Sequence, residues 1–182
     1  MAHPFLLILL TLCSLSWNKQ MKIDFGTQKD GQQWRVINDG VMGGLSQAQI
    51  AFDRDVVRYE GKISLDNNGG FSSFRSPYGR YDLSDYETVE IRFRSQGPTF
   101  GFTLETNSYF YLPYYKVILK AKGDQWQTKR FRLRDFKAYQ LGRPTGESLA
   151  DSDKAKVIRL GFINHDKVAD AFAVEIDYIL FE

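Results

Sequence analysis

The sequence predicts an all-β fold, a sandwich or barrel of antiparallel sheets, and three observations carry that prediction. Apolar and polar residues alternate with a period of two through most of the chain after Met21, the pattern of strands with one face buried. About ten such segments recur at roughly 8–12-residue spacing, separated by Gly, Asn, Asp and Pro. No stretch sustains the 3.6-residue period of a long helix.

Lys22 to Phe25 is a short first strand, followed by a polar loop over residues 26–33. Trp34 to Ile37 is the next strand, and it runs into Asn38-Asp39-Gly40. Glycine reaches positive φ freely, and Asn and Asp tolerate it best among the rest, so this is a turn. Gly43-Gly44 follows before alternation resumes at Leu45, with Ala48, Ile50 and Phe52 on one face. Asp53-Arg54-Asp55 links this segment to residues 57–63, whose inward set is Val57, Tyr59, Gly61 and Ile63. Together the two segments make a hairpin.

A second glycine turn, Asp66-Asn67-Asn68-Gly69-Gly70, leads into a strand from Phe71 to Arg75, and residues 77–84 are turn-rich. Val89, Ile91 and Phe93 alternate with Glu90, Arg92 and Arg94. After a turn at Gln96-Gly97-Pro98, Phe100, Phe102 and Leu104 repeat that pattern. The aromatic run from Tyr109 to Tyr115 enters a strand over residues 116–121, and Lys122-Gly123-Asp124 turns the chain into a strand over 126–133. Gly142, Pro144 and Gly146 make residues 135–153 a long loop, with one or two helical turns within 148–156. Two strands close the chain, at 157–163 and at 172–181.

At 182 residues, with 43% apolar and 15% aromatic side chains, the chain has enough material for one well-filled core over residues 21–182 and too much for a disordered segment. Its net charge of +2 is spread along the sequence with no Lys/Arg run, so no nucleic-acid partner is expected. Residues 1–20 differ in kind. Phe5 to Leu12 is apolar except for Thr11, and Ser14-Leu15-Ser16 supplies a small-x-small cleavage pattern. This resembles a secretory leader and is too short to span a bilayer, although Met1 to Pro4 lacks the usual Lys or Arg. The expected location is therefore the periplasm or cell surface; the alternative is a cytoplasmic protein starting near Met21. A lipid anchor would need Cys13, but Leu12 stands where a small residue belongs. Cys13 is the only cysteine, so a chain cleaved after Ser16 has no disulfide, thiolate nucleophile or Cys-based zinc site.

Catalytic machinery is not evident, and the chain reads as a non-enzyme. His3 lies in the leader, and His165 sits in an expected hairpin turn, Asn164-His165-Asp166. The nucleophile-elbow pattern is missing. Glu90, Glu105, Glu175 and Asp177 are the carboxylates a hydrolase would need, and each falls where a solvated strand face puts a charge. Gly40, Gly43 and Gly44 match neither the phosphate loop nor the dinucleotide fingerprint, so no cofactor is expected. Asp24, Asp39 and Asp177 are weak calcium candidates near strand ends, without regular ligand spacing. More telling is the aromatic run: alternation places Tyr109, Tyr111 and Tyr115 on one face and Phe110 and Leu112 on the other. Tyrosines so placed suit a sugar-binding or protein-recognition surface, because each ring joins a flat apolar face to a polar tip. With Asn38, Asp39, Asn67, Asn68 and Arg75 from the turns, they form the candidate binding set. Arg75 is expected to organise its loop by bridging carbonyls or Asp39, and Gly44 to occupy positive φ.

Trp34 with Val36-Ile37-Asn38-Asp39-Gly40-Val41-Met42-Gly43-Gly44-Leu45-Ser46 resembles the opening motif of the complex I intermediate-associated protein family, whose founder is the thirty-kilodalton assembly factor. The stretch from Gly61 through Asn67-Asn68-Gly69-Gly70-Phe71-Ser72-Ser73 to Arg75 is similar to its second motif. Trp126, Leu133, Phe136, Leu160-Gly161-Phe162 and residues 172–179 resemble its later segments. The resemblance covers nearly all of residues 22–182. It implies a jelly roll of the galactose-binding-like type, a fold that also includes carbohydrate-binding modules. For function it implies a chaperone-like role in protein-complex assembly, with a protein client and peripheral membrane contact through it; an oligosaccharide-binding module is the alternative.

Overall fold

The computed structural model describes residues 19–121 and 123–182. Residues 1–18, which hold most of the stretch expected to be a leader and its cleavage pattern, and Lys122 lie outside the described residues. Thirteen strands run in order through them: β1 (Met21–Asp24), β2 (Arg35–Asn38), β3 (Gln47–Phe52), β4 (Val57–Lys62), β5 (Ser72–Arg75), β6 (Thr88–Gln96), β7 (Phe100–Glu105), β8 (Tyr114–Leu119), β9 (Gln127–Arg132), β10 (Lys137–Gln140), β11 (Arg143–Ser148), β12 (Arg159–Asn164) and β13 (Ala171–Phe181). A single helical turn, α1 (Asp151–Lys154), precedes β12. One sheet has the order β3-β4-β13-β6-β9, with β1 also paired to β13. The other runs β11-β10-β8-β7-β12-β5-β2. Every pairing is antiparallel, so the all-β sandwich is what the alternation foretold.

The core is the layer between the sheets, and its rings come from both. Trp34 lies edge-on to Phe25 at 5.2 Å and tilted against Phe74 at 5.1 Å. Tyr59 of β4 meets Phe172 of β13 at 4.9 Å, and Phe102 of β7 meets Phe162 of β12 at 5.1 Å. Each fully buried ring contributes on the order of 1.5–3 kcal/mol, so these aromatics account for much of the stability. The buried Tyr59 hydroxyl donates to Ser72 Oγ at 2.6 Å, and Ser72 Oγ donates to Asn38 Oδ1 at 2.6 Å. That chain satisfies the polar groups at the end of the core.

Three sequence expectations change here. Residues 135–153 are not one loop, because β10 and β11 pair as a hairpin turning at Leu141 (φ 49°) and Gly142 (φ 79°). Of the glycines read as loop markers, Gly142 is a turn residue and Gly146 (φ 92°) lies within β11, part of an edge ribbon that is mostly exposed and so lacks the apolar alternation of a half-buried strand. The single turn of α1 follows, inside the range expected. Asn164-His165-Asp166 is not a hairpin turn either: β12 and β13 belong to different sheets, so the chain crosses between layers there. Finally, residues 109–113 are turn rather than strand, and Tyr109, Phe110, Tyr111 and Leu112 are all at least 36% exposed. Pro113 and the turn bond from Leu112 N to Tyr109 O (3.1 Å) interrupt the alternation.

Candidate functional site

The two glycine turns meet on one carboxylate. Asp39 is 1% exposed. It accepts from Ser46 N (2.9 Å), Ser46 Oγ (2.6 Å), Gly70 N (2.7 Å) and Phe71 N (3.2 Å). Burial opposes ionisation, but the Ser46 hydroxyl and the Gly70, Ser46 and Phe71 amides together hold the carboxyl below its ordinary range. Four donors around one buried carboxylate are what lower a pKa against desolvation. Asp39, the residue with most promise as a ligand-binding acid, is therefore a knot between turns.

Glycine at 44 is explained by that knot. Its φ is not positive; Gly43 has that role at 88°. A side chain at Gly44 would overlap Asp39 Cγ and Oδ1, so close approach and not backbone sign demands glycine. Asn67 and Asn68 take left-handed backbone at φ 53° and 64° on an exposed turn, and Asn38 belongs to the Tyr59–Ser72 chain. The calcium candidates do not converge. Asp24 accepts from Lys22 and Thr27, Asp177 pairs with Arg92, and Asp39 is enclosed by its donors. Among the described residues no three His, Cys, Asp or Glu side chains are placed to hold a metal.

Around this knot the turns hold apolar side chains out in water. Val41, Met42, Leu45 and Leu65 are 76, 72, 55 and 46% exposed.

The seven-stranded sheet offers a different site on its outer face. Residues directly opposite in antiparallel strands share a face. The register therefore lines up Arg35, Arg75, Gly161, Thr103, Lys116 and Lys137 across β2, β5, β12, β7, β8 and β10. Arg159 opposes Glu105, and Tyr114 opposes Tyr139, two residues along the same face. Small residues form the floor: a side chain at Gly101 would come within 2.7 Å of Lys116 Cγ, and one at Gly161 within 3.0 Å of Arg75 Cγ. The long cations thus lie down into the sheet, and Lys116 is only 4% exposed.

Here Arg75 is not the partner of Asp39. It donates from Nε to Ser73 Oγ (2.8 Å) and from Nη1 to Glu105 Oε1 (2.8 Å). Arg159 donates to Ser76 O at 2.9 Å and lies 4.4 Å from the Tyr78 ring centre. A cavity of about 100 Å³ opens beside these groups, walled by Tyr78, Tyr109, Phe110 and Tyr114. Its aromatic rim is fixed by Asn107 Nδ2 to Pro113 O (3.0 Å), Tyr109 N to Asn107 Oδ1 (3.1 Å) and Gln140 Nε2 to Tyr111 O (3.0 Å). Tyr109 and Tyr111 lie 5.5 Å apart. Tyr115 is turned away to the core side, its hydroxyl on Asp153 at 2.6 Å, so the run splits between two environments.

Of the residues singled out from sequence, Arg75 and Tyr109 line this cavity and Tyr111 packs beside Tyr109, whereas Tyr78, Tyr114, Tyr139, Lys116 and Arg159 on the same face were not singled out. One signal was available. In residues 114–119 the inward set is Tyr115, Val117 and Leu119, which leaves Tyr114 and Lys116 on the opposite face. The other partners depend on pairing between distant strands.

The larger depression, about 680 Å³, lies on the outer face of the six-stranded sheet beside Arg58, Glu60 and Ala173. It is broad, its ring Phe172 is buried inward, and its arginine is already matched by carboxylates. Arg58 pairs with Glu60 (2.6 Å) and Glu175 (2.8 Å), Arg94 with Glu175 (2.5 Å) and, further along, Arg92 with Asp177 (2.8 Å). Of the hydrolase candidates, Glu105 is on the other sheet, and Glu90, Glu175 and Asp177 on this one are each tied to arginine, Glu90 to Arg130, Glu175 to Arg58 and Arg94, and Asp177 to Arg92. The smaller, aromatic-walled groove is the better ligand site.

A family model described as Complex I intermediate-associated protein 30 matches residues 23–176. No curated protein matches the chain in sequence. Among solved structures, the family 11 carbohydrate-binding module of a cellulosomal cellulase of Clostridium thermocellum is similar with a TM-score of 0.65 at 13% identity, covering 89% of this chain and 94% of that one. The Clostridium thermocellum family 11 module in complex with a β-1,3-1,4-mixed-linked tetrasaccharide gives 0.61 at 12% identity, covering 88% and 94%. A variant of a family 29 carbohydrate-binding module gives 0.52 at 9% identity, covering 90% and 91%. These likenesses show the shared fold.

Proposed function

This chain belongs to the complex I intermediate-associated protein 30 family, and on that premise we propose that it is a non-enzymatic binding protein that takes an oligosaccharide in the groove of the seven-stranded sheet. The observation that carries this is the aromatic-walled cavity formed by Tyr78, Tyr109, Phe110 and Tyr114 over Arg75 and Glu105. Sugar rings stack their apolar faces on aromatic rings, while a charged pair receives their hydroxyls. The binding of a mixed-linked tetrasaccharide by a module of the same fold agrees with this reading. On a glycan array the protein should give signals that fall by about tenfold or more, some 1.4 kcal/mol, in Tyr109→Ala and Tyr114→Ala. Both variants should keep the thermal midpoint within a few degrees. An array left blank by the wild type would end this reading.

A second reading, a protein client held during complex assembly, is favoured by Val41, Met42, Leu45 and Leu65. Apolar side chains displayed on a backbone fixed by Asp39 are pre-organised for contact, with little ordering entropy left to lose. A photo-crosslinking residue placed at Met42 should capture a discrete protein in the native host. Capture equal to that from a control position on β9 would count against it.

A further inference from the structure

The groove face carries more positive charge than its carboxylates neutralise. Arg35, Arg75, Lys116 and Lys137 share one cross-strand row, and Arg159 lies next to it. Among the described residues two carboxylates answer them. Glu105 is shared between Arg75 at 2.8 Å and Arg159 at 4.0 Å. Asp166 caps Thr99 N at 3.1 Å and acts on Lys116 only through its field. Among the described residues Lys116 has no carboxylate within ion-pair distance. Its Nζ is instead 3.1 Å from His165 Nδ1 and 3.9 Å from the Tyr139 ring centre. On the six-stranded face the arginines are answered, since Arg58, Arg92, Arg94 and Arg130 are each paired with carboxylates.

Burial pushes the Lys116 amine down to about 8, with Asp166 opposing. At neutral pH it is therefore still a cation, held in a place where an apolar side chain would fill the same space without the desolvation penalty. Arg75, also largely buried, spends Nε and Nη1 on Ser73 and Glu105. Guanidinium groups prefer planar, two-oxygen acceptors, which a carboxylate supplies and a sugar hydroxyl does not. Neighbouring strands are about 4.8 Å apart, a spacing comparable to one pyranose ring. A chain of rings crossing the strands would thus meet a new side chain at nearly every residue.

We propose that the ligand of this groove is an acidic oligosaccharide, one whose rings carry carboxylates, with the tyrosine walls receiving ring faces and the basic row receiving the charges. The proposal rests on the groove reading above and adds the class of sugar.

Calorimetric titration of the full chain separates the two. The probes are tetragalacturonate, its methyl ester, a neutral mixed-linkage glucan tetrasaccharide, a sulfated oligosaccharide and an oligothymidylate of matched charge, each in low and high salt. Tetragalacturonate is expected to bind about tenfold or more tightly than its ester, and to weaken as salt rises. Arg159→Gln and the exposed Lys137→Gln should each weaken tetragalacturonate binding severalfold, and by a larger factor than they weaken that of the ester. Equal affinity for acid and ester would overturn the acidic assignment and leave the groove as a neutral-sugar site. Preference for the sulfated chain or the oligothymidylate would overturn the carboxylate assignment. Failure of every saccharide to bind would remove the groove reading along with this one.

Discussion

Asp39→Ala should lower folding stability at neutral pH by about 3–5 kcal/mol, measured by urea denaturation, because it strips a buried anion from four donors at once. The Ser46 and Phe71 amides and the Gly70 amide would be left in a site too enclosed for ready hydration. Asp39→Asn keeps the shape but turns an acceptor-only group into one that presents an NH₂ to those donors. It should retain little of the wild-type stability gain. The same carboxylate makes stability depend on pH. Its folded pKa lies below its unfolded value, so its contribution is full above the unfolded pKa and disappears as pH falls through the folded one. The wild type should therefore lose stability on acidification below about pH 4 more steeply than Asp39→Asn. Identical acid limbs for the two would show that Asp39 is not ionised in this knot.

Gly44→Ala comes second, with an expected loss of about 2–4 kcal/mol, because its new methyl group would occupy the space of the Asp39 carboxylate. Gly43→Ala is the matched control. Gly43 has φ 88° and open space for 4 Å around the position a Cβ would take, so only backbone strain of about 1 kcal/mol is expected. The order of the two glycines is the test: a larger loss at Gly43 would place the constraint in the turn conformation and not in the approach to Asp39. Coupling should also appear. In an Asp39→Ala background the Cγ and Oδ1 atoms are gone, so Gly44→Ala should cost less than it does alone.

These two residues show how the turns and the groove divide the molecule. The knot sets the geometry of the exposed Val41, Met42, Leu45 and Leu65, whereas the groove draws its residues from β5, β7, β8, β10 and β12 and from the loops after β5 and before β8. Damage to the first should be read in stability and damage to the second in binding. That difference lets the oligosaccharide and client readings be tested without confusing loss of fold with loss of function.

The material of the sandwich was legible in the chain from local pattern. Alternation in Val89-Ile91-Phe93, Phe100-Phe102-Leu104 and Phe172-Val174-Ile176 is a property of the strand itself, since successive side chains must point to opposite faces. Those residues are the buried ones. The turns at Asn38-Asp39-Gly40 and Asn67-Asn68-Gly69-Gly70 were legible for the same reason, as their backbone needs are met within a few residues. Strand pairing, by contrast, set what the turns are for and where the site lies. Asp39 and Gly70 are 31 positions apart, and Arg75 and Glu105 are 30, so their partnerships depend on which strands pair and in what register. Nothing local distinguishes an aspartate that binds a ligand from one that ties two loops together. The polar groove residues were hidden similarly, because Thr103, Lys116 and Arg159 read singly as ordinary solvent-facing positions. They become one surface only when antiparallel pairing sets them side by side.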